Sequence, residues 1–123
     1  MDADGAVEGP AITGFLAGGF RVGDRVVTGG LKLTPTTAQD WDAPAFAALA
    51  VADLANLVTS PPPEFILLGT GATTRRPHPA LVRALEDAGV GVEVMDSRAA
   101  ARAWGVLRSE GRAIAAALLP LDA

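Results

Sequence analysis

The sequence predicts a single α/β domain, a mostly parallel sheet with helices packed on it and an N-terminal antiparallel meander that makes an added β layer or an edge extension. Three observations predict this. At 123 residues the chain is long enough for one core and short for two. From residue 65 onward, apolar runs alternate with helical stripes, and strand–helix–strand–helix–strand implies parallel strands with helices against them. The first third is punctuated instead by glycine pairs, which supply the positive φ that tight hairpin turns need.

Residues 1–11 are small, polar or Pro/Gly and read as a flexible tail, leaving 12–123 as the domain. Between Gly18-Gly19, Gly23-Asp24 and Gly29-Gly30 lie Phe20-Arg21-Val22, Arg25-Val26-Val27 and Leu31-Lys32-Leu33. These runs read as one antiparallel meander over Ile12–Thr34, closed at Pro35 because proline cannot continue a paired strand. Asp42 as cap and Pro44 in the first turn predict a helix to about Val58, with Ala47, Ala50, Val51, Leu54 and Val58 inward. Trp41 is expected to staple its start, and Ser60-Pro61-Pro62-Pro63 to end it. Phe65–Leu68 is a continuous apolar run, as in a strand covered on both faces. A helix over Pro79–Ala88 follows, with Leu81, Leu85 and Ala88 inward and Gly89 as its stop. Val90, Val92 and Val94 alternate as a strand to Met95. Ser97 is the expected cap of a helix to Glu110, with Ala100, Ala103, Trp104 and Leu107 as its apolar stripe. Gly111 ends it, Glu110 and Arg112 are expected to pair, and Ala113–Leu119 is the last strand.

Composition narrows the function. Ten basic and 14 acidic residues give a net charge of −4, which argues against a general nucleic-acid binder and gives no attraction to anionic lipid. No apolar run is long enough for a membrane-spanning helix. The acidic N-terminus Met1-Asp2-Ala3-Asp4 lacks the pattern of a signal peptide, so a cytoplasmic, bacterial-type location is expected. The absence of cysteine removes thiolate chemistry and sulfur-ligated metals. With one histidine, no metal site and no cofactor are implied.

Two segments could carry a site. The loop Gly69-Thr70-Gly71-Ala72-Thr73-Thr74-Arg75-Arg76 follows a central strand and leads toward a helix N-terminus, where ligands of open α/β sheets gather. Its backbone N–H groups, Thr70 and Thr73 hydroxyls and Arg75 and Arg76 suit a small anion. Neither the dinucleotide GxGxxG pattern, broken by Thr74, nor a P-loop is present. A glycine turn with solvated arginines is the blander reading. His78, between Pro77 and Pro79, is a candidate base or, on the demands of acid–base geometry, a capping residue. No serine stands in a nucleophile elbow, so no catalytic residue is assigned. The second segment is the helix from Ser97: Arg98 and Arg102 share a face four residues apart. Gly105 lies on roughly the same side, and a helical glycine costs about 1 kcal/mol relative to alanine, as though something approaches closely there. Solubilising charge is the competing reading of the arginines.

Taken in order, Ile12-Thr13-Gly14-Phe15, Gly19-Phe20-Arg21-Val22, Leu68-Gly69-Thr70-Gly71, Val94-Met95-Asp96-Ser97 and Ser109-Glu110-Gly111-Arg112-Ala113 resemble the Mth-type family of small α/β domains. Mitochondrial respiratory complex I assembly factor 3 and the adipogenesis-associated Mth-type domain protein are eukaryotic relatives of that family. The likeness covers about residues 12–119. It implies a three-layer α/β fold with a mixed central sheet and an extra β layer. It also implies an assembly-factor-like module with a protein partner, and no established reaction or cofactor. Where the family's helix carries Thr, Thr, Tyr and Asn, this chain has Ser97, Ala103, Trp104 and Gly105. The expected function is therefore a non-catalytic binding or assembly module, with self-association an open option. An enzyme or anion binder using Gly69–Arg76 is the alternative.

Overall fold

The computed structural model describes residues 9–123, so residues 1–8 of the expected tail lie outside the described residues. The glycine-punctuated segment does form an antiparallel sheet, of β1 (Ile12–Leu16), β2 (Gly19–Val22) and β3 (Arg25–Val27), in that order. Ala17 and Gly18, with φ of 52° and 75°, make the two-residue turn between β1 and β2.

The third expected run of the meander does something else. Gly30–Leu33 (β4) leaves the small sheet and pairs antiparallel with both Ala38–Trp41 (β5) and Ala115–Leu118 (β8). Leu31 and Leu33 are fully buried. They need a partner layer that a small three-stranded ribbon cannot offer on both sides. Gly30 fits between the two neighbours because a Cβ there would stand 2.9 Å from the Trp41 carbonyl oxygen and 3.0 Å from that of Leu118. With Phe65–Gly69 (β6) and Gly91–Met95 (β7) the main sheet has the order β5-β4-β8-β6-β7. Strand β6 is parallel to both β7 and β8, so the sheet is mixed.

The expected helix over residues 44–58 is replaced by two short 3-10 segments, Phe46–Ala48 and Val51–Leu57. The alanine-rich stripe loses to the leucines: Ala47, Ala50 and Val51 are exposed, while Leu49, Leu54 and Leu57 are buried. In one straight α-helix Leu49 and Leu54 would point about 140° apart. An extended Ala50 (φ −130°, ψ 164°) resets the chain between the segments, and the Asp53 carboxylate accepts the Ala50 N–H at 2.8 Å. Trp41 therefore staples no helix; it ends β5, with the Lys32 ammonium 5.0 Å from its ring centroid.

Two α-helices complete the chain, α1 (Pro79–Asp87) and α2 (Ser97–Ser109). Gly89 and Gly111 lie just beyond them with φ of 82° and 76°, the left-handed stop conformation. Leu81 and Leu85 of α1 are buried, whereas Ala88, at the C-cap, is exposed. The strands divide their side chains by parity. Leu31, Leu33, Leu67, Ala116 and Leu118 face a layer made of α2 and the small sheet, whose Phe20, Ala100 and Trp104 fill the space. Ile66, Leu68, Ala115 and Ala117 face the other way, toward α1 and the 3-10 segments. The result is three layers. Lys32 points to this second face, where its ammonium donates to the Asp53 carbonyl oxygen and, at 2.8 Å, to Asn56 Oδ1. Burial holds it below the usual lysine range, with Asp53 pulling it back.

Ser97 is not the cap of α2. Asp96 takes that role, its Oδ1 accepting the Ala99 N–H at 2.8 Å. The Ser97 hydroxyl is fully buried at the carboxyl ends of the parallel strands. It accepts the Gly71 N–H and donates to the Leu119 carbonyl oxygen, both at 2.8 Å. Gly69 makes room for it, since a Cβ there would lie 2.8 Å from Ser97 Oγ and 2.9 Å from Leu118 Cδ2. Nor does Arg112 pair with Glu110. It holds Glu64 at 2.8 Å across the start of β6. The hydrogen bond from Arg112, with a smaller contribution from the Ala113 N–H, keeps the Glu64 carboxyl below the usual range although partial burial opposes this.

This packing sets the outcome of three substitutions. Ser97→Ala should destabilise the fold by about 1–3 kcal/mol in denaturant unfolding, because it leaves a buried N–H and a buried C=O unpaired. Gly69→Ala should cost at least as much through overpacking, and an unchanged unfolding midpoint in either would contradict the contact. Leu67→Asp should prevent folding outright, as an unpaired buried carboxylate costs several kcal/mol. A soluble variant with native circular dichroism and unchanged melting would remove Leu67 from the core.

Candidate functional site

The loop from Gly69 to Arg76 bends over the end of the sheet, and most of its polar groups are used within the chain. The N–H groups of Thr70, Gly71 and Ala72 donate to the Met95 carbonyl oxygen, Ser97 Oγ and the Ala123 carbonyl oxygen at 2.9, 2.8 and 3.1 Å. Gly71 has φ 99°, and a Cβ there would fall 2.4 Å from the Ala123 oxygen, so glycine is required twice over. The buried Thr70 hydroxyl donates to the Thr73 carbonyl oxygen at 2.6 Å and accepts the Arg75 N–H at 3.0 Å. Arg75 folds back: Nε and Nη2 donate to the Thr70 carbonyl oxygen at 3.2 and 2.6 Å, and its guanidinium lies 4.4 Å from the Phe46 ring centroid. Thr73 and Arg76 are exposed.

His78 is the N-cap of α1, its Nδ1 accepting the Ala80 N–H at 3.0 Å. That bond places the proton of the neutral ring on Nε2. Arg76, His78, Phe46, Leu49 and Leu81 border a mostly apolar cavity of about 240 Å³ between the first 3-10 segment and the start of α1. Of the anion-site candidates, Arg76 and His78 thus share a cavity. Thr70, Gly71 and Arg75 are turned into the loop's own bonds.

The second candidate lies across the molecule. Helix α2 buries Ser97, Ala100, Ala101 and Trp104, which sends Arg98, Arg102 and Gly105 outward, where all three are exposed. The helix carries three arginines and no acidic residue. Arg108 is occupied at the helix end, donating to the Arg112 carbonyl oxygen at 2.6 Å. Among the described residues the ion pairs are Arg25–Asp40 and Arg112–Glu64, so Arg98 and Arg102 have no acidic partner there. Both instead lie on Phe15 of β1, their guanidinium carbons 5.5 and 5.7 Å from its ring centroid. Such contacts hold a guanidinium plane without neutralising it. A cavity of about 250 Å³ runs beside them, lined by Ile12–Phe15, Ala101 and Arg102. At Gly105 a Cβ would meet nothing within 4 Å among the described residues, and the glycine is exposed there. Phe15 escaped the sequence reading: no local spacing links β1 to α2, and only the folded chain brings the ring between the arginines. Among the described residues no helix is long and apolar enough to cross a membrane.

Comparison with known proteins gives this geometry a family. The sequence profile of the family described as "Protein of unknown function (DUF498/DUF598)" matches residues 12–119. The NADH dehydrogenase (ubiquinone) 1 alpha subcomplex assembly factor 3 of Danio rerio is 32% identical over 116 residues, 94% of this chain and 67% of that protein. The Mus musculus protein of the same name is 30% identical, and the chain spans 60% of its length. A crystal structure of a Bordetella parapertussis protein superposes with a TM-score of 0.83 at 31% identity, over 94% of this chain and 98% of that one. The solution structure of a Mth938-like domain from Bordetella pertussis gives 0.79 at 27% identity, over 92% and 87%. With a match from the first strand to just past the last, a shared fold and a relationship to complex I assembly factor 3, this chain belongs to the DUF498/DUF598 family.

Proposed function

We propose that this chain is a non-catalytic binding or assembly module that works through protein contacts, with the α2 face around Arg98, Arg102 and Gly105 as its contact surface. The observation that carries this reading is the relationship, over 94% of the chain, to a protein named as a complex I assembly factor. The surface is chosen because its two exposed guanidiniums have no acidic partner among the described residues and are held by Phe15. Exposed charge held in place and without an acidic partner among the described residues is what a complementary partner can use. The reading of Gly69–Arg76 as a small-anion site retains Arg76 and His78 beside their cavity. Stabilisation by phosphorylated metabolites, lost in Arg76→Ala, would favour it.

Arg98→Glu/Arg102→Glu should leave thermal unfolding within about 0.5 kcal/mol of wild type, as exposed charge changes usually do. It should abolish co-purification of protein partners with the tagged chain at native abundance. Wild-type chain that repeatedly emerges alone would sink the protein-contact reading. Gly105→Ala should raise stability by up to about 1 kcal/mol, because it improves helix propensity and meets no neighbour among the described residues. If a partner backbone packs against Gly105, that gain in chemical denaturation comes with weakened capture.

A further inference from the structure

We infer that the groove between β1 and α2 binds an extended acidic segment of a partner protein, with two carboxylates in the pattern acidic–x–acidic, laid along the outer edge of β1. This rests on the protein-contact reading and names the chemistry of the partner.

Backbone, spacing and charge each point to this occupant. Among the described residues β1 is an edge strand of the small sheet. Its register slips at Thr13, and the pairs Gly14↔Arg21, Phe15↔Phe20 and Leu16↔Gly19 are regular. The two-residue turn at Ala17–Gly18 closes the Leu16↔Gly19 pair, and antiparallel ladders alternate. The backbone N–H and C=O of Phe15 therefore face the open edge, where an added strand can use them. The cavity lined by Ile12–Phe15, Ala101 and Arg102 lies where β1 and α2 meet.

Arg98 and Arg102 are one helical turn apart, a rise of about 6 Å. In an extended peptide, residues two apart point to the same side at about 6.6–6.8 Å. Two carboxylates so spaced meet two guanidiniums, each able to form a forked charge-assisted pair. Leu16 is 54% exposed and sits at the end of the same strand, so an apolar residue between or beside the acids has a surface to cover.

Other occupants fit less well. A nucleic-acid strand would meet a chain of net charge −4 with a basic footprint of two residues, too small for phosphate binding. A second copy pairing through β1 about a two-fold axis would bring its own Arg98 and Arg102 toward these, charge against like charge.

The experiment uses the full chain and a fluorescein-labelled peptide, Gly-Ser-Val-Glu-Val-Glu-Ser-Gly, read by anisotropy at low ionic strength, with backbone amide shifts to locate it. The expected result is saturable binding that shifts the amides of Phe15 and Arg102 but not that of His78. Binding should weaken about tenfold or more in Arg98→Glu/Arg102→Glu, and severalfold when the two glutamates are adjacent. It should be lost when they are lysine. No saturable binding, equal binding of the lysine peptide, equal displacement by single-stranded DNA, or unchanged affinity in the double variant would each overturn the proposal. Affinity that rises severalfold in Asp2→Asn/Asp4→Asn would assign the groove to the chain's own N-terminal segment and overturn the partner. If cellular partners are captured equally by wild type and Arg98→Glu/Arg102→Glu, the protein-contact reading stands and this groove is not where it acts.

Discussion

The hydroxyl of Ser97 sits where three segments must diverge. In a parallel arrangement the strands end together, yet β6 feeds α1 on one face while β7 feeds α2 on the other. The groups at that fork are buried and need partners. Ser97 supplies them with one atom, accepting a hydrogen bond from the Gly71 N–H and donating one to the Leu119 carbonyl oxygen. It can do so because Asp96 already caps the helix, and because Gly69 has no side chain in the way. The contact also fixes how α2 is rotated about its axis. With Ser97 inward, Ala100, Ala101 and Trp104 follow at helical spacing, and Arg98, Arg102 and Gly105 must face out. The exposed basic surface is thus a geometric consequence of one buried serine.

The two faces of the sheet use different means to reach native packing density. Strand β8 contributes alanine at positions 115, 116 and 117, so layers can approach it closely on both sides. On the α2 side the space is filled by Trp104 and Phe20, both fully buried; the Trp104 indole N–H is satisfied by the Pro10 carbonyl oxygen at 3.2 Å. On the α1 side it is filled by leucines from α1 and from the irregular segment before β6. That segment has no continuous helix to hold it, and Lys32 reaches from the middle of β4 to its Asp53 carbonyl oxygen and Asn56. A half-formed element is tied down by a side chain from the most constrained part of the sheet.

What could be read from the sequence follows the same division. Strands β6 and β7, helices α1 and α2 and their glycine stops were legible because local signals and tertiary demands agree there. The segment 44–58 was not, because alanine at helical spacing is a weak stripe. Burial of Leu49, Leu54 and Leu57 overrode it. The destination of β4 was illegible for another reason: hairpin signals give neighbours in sequence, and β4 finds its partners at β5 and, far along the chain, β8. Of the candidate site residues, the outward pair Arg98 and Arg102 was readable from i,i+4 spacing alone. The inward turn of Thr70 and Arg75 was not, since glycine-rich loops look alike whether their donors meet an anion or their own carbonyls. Phe15, without which the arginines would be ordinary solvated charges, carries no local signal.

The departures from the family's helix pattern can now be placed on the two sides of α2. Ser97 for threonine keeps a hydroxyl, and that hydroxyl is structural. Trp104 for tyrosine is buried, and its donor is used inside the chain, so the exchange alters packing without altering the surface. Gly105, where the resemblance implies asparagine, is different, because it places no side chain on the exposed face beside Arg102. Ala103 for threonine is half-buried and packs against the core. The helix thus separates its obligations: Ser97, Ala103 and Trp104 pack toward the core, and Gly105 is exposed. The residue that changes the outer surface lies next to the arginine pair. On the proposed protein-contact reading, a change at position 105 would alter the contact face and leave the core untouched.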